Sequence, residues 1–194
     1  MIHPSREISP TASKPFRWRP DLIGAGLIAA LALCTVGGCS GSQEKDVPQL
    51  VEDLHQSDPD SRYTAVKSLG GKGAEAKDAV PPMMAMLKDT DPNVRMATAY
   101  ALGKLGHAAA SAVPALIGAL DDSSKDVRYA AAYSLPSLGP DATSAWTALQ
   151  KAAAQDKDPS VRNEAARSLT KIQIAYKYRR AVESRATAQA SGEK

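Results

Sequence analysis

Cysteine is almost missing from this sequence. The two it has, Cys34 and Cys39, sit at the end of the single long apolar run. The chain beyond residue 39 therefore carries no disulfide framework, no thiolate metal site and no cysteine nucleophile. Aromatic residues are scarce as well, 5% of the chain with a single Phe, whereas a β-sandwich would want more of them and more β-branched residues. The three histidines, His3, His55 and His107, stand at no metal-ligand spacing. No zinc-protease helix signature, calcium loop, Gly-rich phosphate loop or defensible Ser–His–Asp set occurs. These gaps argue for a binding protein rather than an enzyme, with no metal and no cofactor. A net charge of only +3 argues against nucleic acid as the partner.

What is present begins with a leader. Arg6, Lys14, Arg17 and Arg19 precede a nearly unbroken apolar stretch from Leu22 to Val36, the form of a secretory signal and shorter than the roughly 20 residues that span a bilayer. Val36-Gly37-Gly38-Cys39, followed by polar Ser40-Gly41-Ser42-Gln43, resembles the lipobox of bacterial lipoproteins. The resemblance implies that Cys39 becomes the first mature residue and carries the lipids. Residues 1–38 then read as signal peptide and 39–46 as a short tether to a bacterial membrane, with Ser40 compatible with outer-membrane sorting.

The rest repeats. Asp58-Pro59-Asp60-Ser61-Arg62 returns as Asp91-Pro92-Asn93-Val94-Arg95, as Ser124-Lys125-Asp126-Val127-Arg128 and as Asp158-Pro159-Ser160-Val161-Arg162, so the arginines step by 33, 33 and 34 residues. Seven residues after each Arg stand Leu69, Leu102, Leu135 and Leu169, and upstream Pro48, Pro81 and Pro114 occupy matching places. Each unit reads as two helices. Proline opens the first, where its missing N–H costs nothing. In the Asp91 and Asp158 repeats an aspartate caps the second helix, and Gly73, Gly106 and Gly139 close theirs. Pro136 should kink or end the third repeat's second helix early, and one extra residue in the fourth repeat puts Leu149 and Ala153 at its apolar places.

This pattern resembles the HEAT-like repeats of the phycobilisome-lyase type across residues 47–175. The resemblance implies an all-α fold, a short right-handed α-solenoid of about four helix pairs, with first helices on the convex side and second helices on the concave side. Residues 176–194 follow as a basic, partly disordered extension that frays into solvent, since Ala186 to Lys194 show no apolar period.

Two sets of side chains stand out. The arginine ladder, Arg62, Arg95, Arg128 and Arg162, reads as structural, paired with Asp58, Asp91 and Asp158 within a turn and between neighbouring repeats; an anion-binding row is the alternative. The second set lies one and five residues after each arginine, away from the core face. In the two central repeats it comprises Met96, Tyr100, Tyr129 and Tyr133, residue types that enrich the centres of interfaces. Packing between adjacent helices is the competing reading. Trp146, opening the fourth repeat, reads as core. The functional expectation is a membrane-tethered scaffold that binds a protein or peptide through the concave face. Beside it stand a bilin-handling activity, implied by the lyase resemblance, and a purely structural envelope lipoprotein.

Overall fold

The computed structural model describes residues 45–191. Cys39, the basic leader and the apolar run lie outside them. Every regular element among the described residues is helical: α1 (Val47–Asp53), α2 (Pro59–Lys72), α3 (Val80–Met86), α4 (Pro92–Leu105), α5 (Val113–Ala119), α6 (Lys125–Ser134), α7 (Trp146–Gln155) and α8 (Pro159–Ser191), joined by turns and short 3-10 segments.

Local chemistry sets the boundaries. Asp46 accepts a hydrogen bond from the Gln49 amide at 2.9 Å while the Gln49 side chain accepts from the Asp46 amide at 3.3 Å. This reciprocal cap, with Pro48 in the first turn, starts α1. Pro81 and Pro114 likewise stand in the first turns of α3 and α5, which start without a side-chain cap. At the other end, α2 and α4 stop at Gly73 and Gly106, whose φ values of 55° and 59° are costly for any residue with a Cβ. Pro136 cuts α6 to 10 residues against 14 in α2 and α4, and a 3-10 turn over Leu135–Leu138 replaces its last part.

The helices form pairs, α1 with α2, α3 with α4, α5 with α6 and α7 with α8, while α2, α4, α6 and α8 pack in sequence on one another. The chain is thus an α-solenoid of four helix pairs. Its core runs the length of the stack, with Leu69, Met83, Leu102, Leu116, Leu135 and Leu149 fully buried. The fourth repeat departs from expectation. Trp146 is 37% exposed, and Leu149 with Ala152, rather than Ala153, fills the core. The 3-10 turn over Pro140–Ala145 supplies Ala142 and Ala145 to the interior instead.

The division expected at residue 176 falls inside one helix. Beyond Ile172 no described side chain of α8 is buried, yet the helix continues to Ser191. Alanine and arginine, both strong helix formers, are frequent there, and Arg179 and Glu183 form an i,i+4 pair at 3.7 Å. No described helix is both long and apolar enough to cross a membrane.

Leu102 lies at the centre of the stack and is completely buried. Leu102→Ala should lower the unfolding free energy by about 2–5 kcal/mol, read from the midpoint of urea denaturation; an unchanged midpoint would contradict this register.

Candidate functional site

The arginine ladder is built between repeats, and its carboxylates are not the ones expected. Arg62 donates through Nε and Nη2 to the two oxygens of Asp89, both at 2.7 Å. Arg95 binds Asp122 the same way at 2.8 and 2.9 Å, and Arg128 binds Asp156 at 2.8 and 2.9 Å. Each remaining Nη1 donates to two carbonyls of the arginine's own turn, Gln56 and Ser57 in the case of Arg62. Asp58, Asp91 and Asp158 instead turn toward their own helices. Asp58 accepts from the Ser61 amide, Asp91 from those of Asn93 and Val94, and Asp158 from that of Ser160. An N-cap carboxylate pointed at its helix amides is no longer free to form a two-bond fork with a guanidinium.

The ladder acids are thus Asp89, Asp122 and Asp156, placed 27 or 28 residues after the arginines they bind. That recurrence was present in the sequence but lay in the following repeat. Arg62, Arg95 and Arg128 have their donors satisfied, which removes them as an anion row. Arg162 differs: its Nη1 donates to the Asp156 carbonyl at 2.7 Å, and no described carboxylate pairs with it.

The bonds hold the aspartates below their ordinary range. Arg62 does so for Asp89 and Arg128 for Asp156, each against the upward push of burial. At Asp122 burial pushes up most strongly, and the Arg95 bond with the Ser124 amide outweighs it.

The second set of residues forms a groove of ≈ 620 Å³ along α2, α4 and α6, lined by Tyr63, Lys67, Met96, Tyr100, Tyr129 and Tyr133. Its floor owes its shape to two glycines that the sequence reading passed over. A Cβ on Gly70 would fall 2.8 Å from that of Ala101, and one on Gly103 would fall 2.6 Å from the Ser134 hydroxyl. The second helices therefore touch backbone to side chain, and their larger residues are displaced upward into the groove walls. Glycine eight residues after Arg62 and after Arg95 was the available signal. Pro136 holds the same place in the third repeat, where the helix stops.

Tyr100 and Tyr133 meet edge to face, with centroids 5.7 Å apart and planes at 65°. The ammonium groups of Lys171 and Lys67 lie over the Tyr133 and Tyr63 rings at 5.2 and 5.4 Å. Tyr129 donates to Glu164 at 3.4 Å, and the buried Glu164 carboxylate also faces Arg167 and Lys171. So part of the stripe does pack between helices: Met96, Tyr100 and Tyr63 lean on the core. Tyr133 remains 47% exposed. Burial raises the phenol of Tyr100, and burial followed by Glu164 raises that of Tyr129. Both stay protonated near neutrality and act as hydrogen-bond donors. The charged lining residues are Lys67 and Lys104. Among the described residues no cluster of His, Cys, Asp and Glu could hold a metal.

Stacked helix pairs, an inter-repeat ladder and a tyrosine groove on the second helices define a helical-repeat protein. A model of HEAT repeats matches residues 47–136 and 113–184, and the chain belongs to the HEAT-repeat family. No curated protein shows significant sequence similarity to it. Among solved structures it is similar to an engineered protein (26% identity, TM-score 0.56, 66% of this chain and 62% of that one). It is also similar to the complex of CpcE and CpcF of phycocyanin lyase from Nostoc sp. PCC7120 (25% identity, TM-score 0.55, 63% of this chain and 79% of that one). A third likeness is to human deoxyhypusine hydroxylase in complex with glycerol (32% identity, TM-score 0.54, 68% of this chain and 44% of that one). The chain thus spans about three fifths of the engineered protein and less than half of the hydroxylase.

The lowered aspartates tie stability to pH. Their folded values lie below the unfolded value of about 3.9, so their contribution is complete above that value and is lost as pH falls from it through the folded values. The melting temperature should be flat from neutrality to about pH 5 and then fall steeply. Asp122→Asn should lower the plateau and flatten the acid limb; an acid limb unchanged in Asp122→Asn would contradict the ladder assignment.

Proposed function

We propose that this protein is a scaffold whose role is binding rather than catalysis, and that its tyrosine groove holds a segment of a partner protein or peptide. The observation that carries this reading is the half-exposed Tyr133 set edge to face against Tyr100 over a groove rimmed by Lys67 and Lys104. A wall of neutral phenols and a thioether beside two ammonium groups suits an apolar side chain flanked by carbonyl or carboxylate acceptors. Rigid aromatic anchors bind at small entropic cost, and tyrosine is prominent where alanine scans find most of the binding energy. HEAT-repeat membership supports a protein partner. Within the same proposal, Cys39 serves as the lipid attachment point of an exported chain; its support is the sequence Val36-Gly37-Gly38-Cys39 behind a basic leader. The groove would then work close to a bacterial membrane, since eight residues reach at most about 28 Å.

A second reading is bilin handling, favoured by the likeness to the phycocyanin lyase complex. A tetrapyrrole held in the groove would shift its visible absorption on incubation with the purified chain, whereas an unshifted spectrum ends this reading.

The scaffold reading is tested by quantitative recovery of partners from the native membrane with wild type and with Tyr100→Ala/Tyr133→Ala. The double variant should lose about 2 kcal/mol of binding or more, roughly thirtyfold in affinity. Equal partner recovery would remove the groove as the site.

A further inference from the structure

Every second helix offers the same face to whatever follows it in the stack. Val66, Ala99 and Ala132, four residues after the ladder arginines, are fully buried. Gly70 and Gly103, eight residues after, press against the next helix. On α8 the equivalent places are Ala166 and Thr170, and both are exposed. Further along and turning away from that face, the projecting part of α8 presents Ile174, Tyr178 and Val182, which are 63%, 73% and 48% exposed. With Ala181 beside them these residues make a narrow apolar seam at i, i+4, i+7 and i+8. Arg162, the ladder arginine with no described carboxylate, lies roughly 120° to 200° round the helix from Ile174, Tyr178 and Val182 and is not part of the seam.

We propose that this seam of α8 docks an acidic helix of another protein, whose apolar side packs on Ile174, Tyr178 and Val182 and whose carboxylates meet the basic seam edge. Charge decides the occupant. Arg167, Lys171, Lys177 and Arg185 border the seam. Glu164 is buried and engaged by Arg167, Lys171 and Tyr129. Glu183, nine residues from Ile174, falls on the opposite side of the helix. A second copy placed seam to seam would bring these cations against their own equivalents. A second copy stacked head to tail would offer its α2 face, where Thr64 and Ser68 stand in place of the buried Ala97 and Ala101 of α4. Its ladder position would hold Gln56, an amide rather than a carboxylate. A lipid surface calls for a broad apolar face with large side chains, and the seam is one residue wide over most of its length.

The test uses the full chain and a synthetic amphipathic helix of about three heptads, with leucine along one seam and glutamate on its flanks. A lysine-flanked counterpart serves as the control. Fluorescence anisotropy should show binding of the acidic helix only, weakened by added salt. Ile174→Glu/Tyr178→Glu, both at exposed positions, should weaken it by about tenfold or more, and Lys177→Gln/Arg185→Gln by a similar factor. The groove variant Tyr100→Ala/Tyr133→Ala should bind the helix as wild type does, which separates this proposal from the groove reading. The proposal is overturned if the acidic helix fails to bind at about 1 mM or if the groove variant loses binding as the seam variant does. It is equally overturned if the seam substitutions abolish dimerisation in sedimentation, or flotation of the Cys39→Ser chain with phosphatidylglycerol vesicles, while leaving helix binding intact.

Discussion

Each helix pair of this chain has an apolar flank that only the following pair covers, and the bond that fixes how the two meet is the fork between an arginine and an aspartate of the next repeat. A guanidinium that binds one carboxylate through two nitrogens while a third holds two carbonyls of its own turn has no freedom to slide. Asp89, Asp122 and Asp156 each accept a further bond from a backbone amide two residues on. The carboxylate therefore braces its own turn and clamps the preceding one together. Oily contact alone would tolerate several offsets between adjacent helices, whereas this arrangement accepts one. The groove follows from it, because Gly70 and Gly103 can meet their neighbours only when the second helices are held in that offset.

The helices, their order and most of their ends were legible because their determinants are local: proline at the starts, aspartate at caps, glycine at positive φ, and Pro136 where α6 stops. The identity of the ladder acids was hidden, because Asp58, Asp91 and Asp158 lie nearer in sequence to the arginines and only the fold shows that capping occupies them. Trp146 was misread as core because it stands where Val80 and Val113 are buried, seven residues after the turn glycine, and spacing alone does not show that the larger indole opens to solvent. The tyrosine stripe was found from spacing alone. Spacing could not say which rings are pinned by neighbours, as Tyr129 is by Glu164, and which, like Tyr133, stay half open.

The two ends of the stack are chemically unequal. The α2 end closes with polar Asp60, Thr64 and Ser68, as a terminal repeat should. The α8 end carries Arg162, which has no carboxylate partner among the described residues, and, further along and on another side of the helix, an exposed apolar seam. With the groove on the second helices, the stack carries two distinct surfaces, one aromatic and one basic and apolar.

The central claim is that the second helices, and not the first, are the gripping surface. A photoreactive side chain placed at position 133 in the groove, and separately at the exposed Gly118 on α5, tests it in native membranes. The account predicts discrete polypeptide adducts from position 133 and none from position 118. Adducts from position 118 alone, or identical adducts from both, would contradict it.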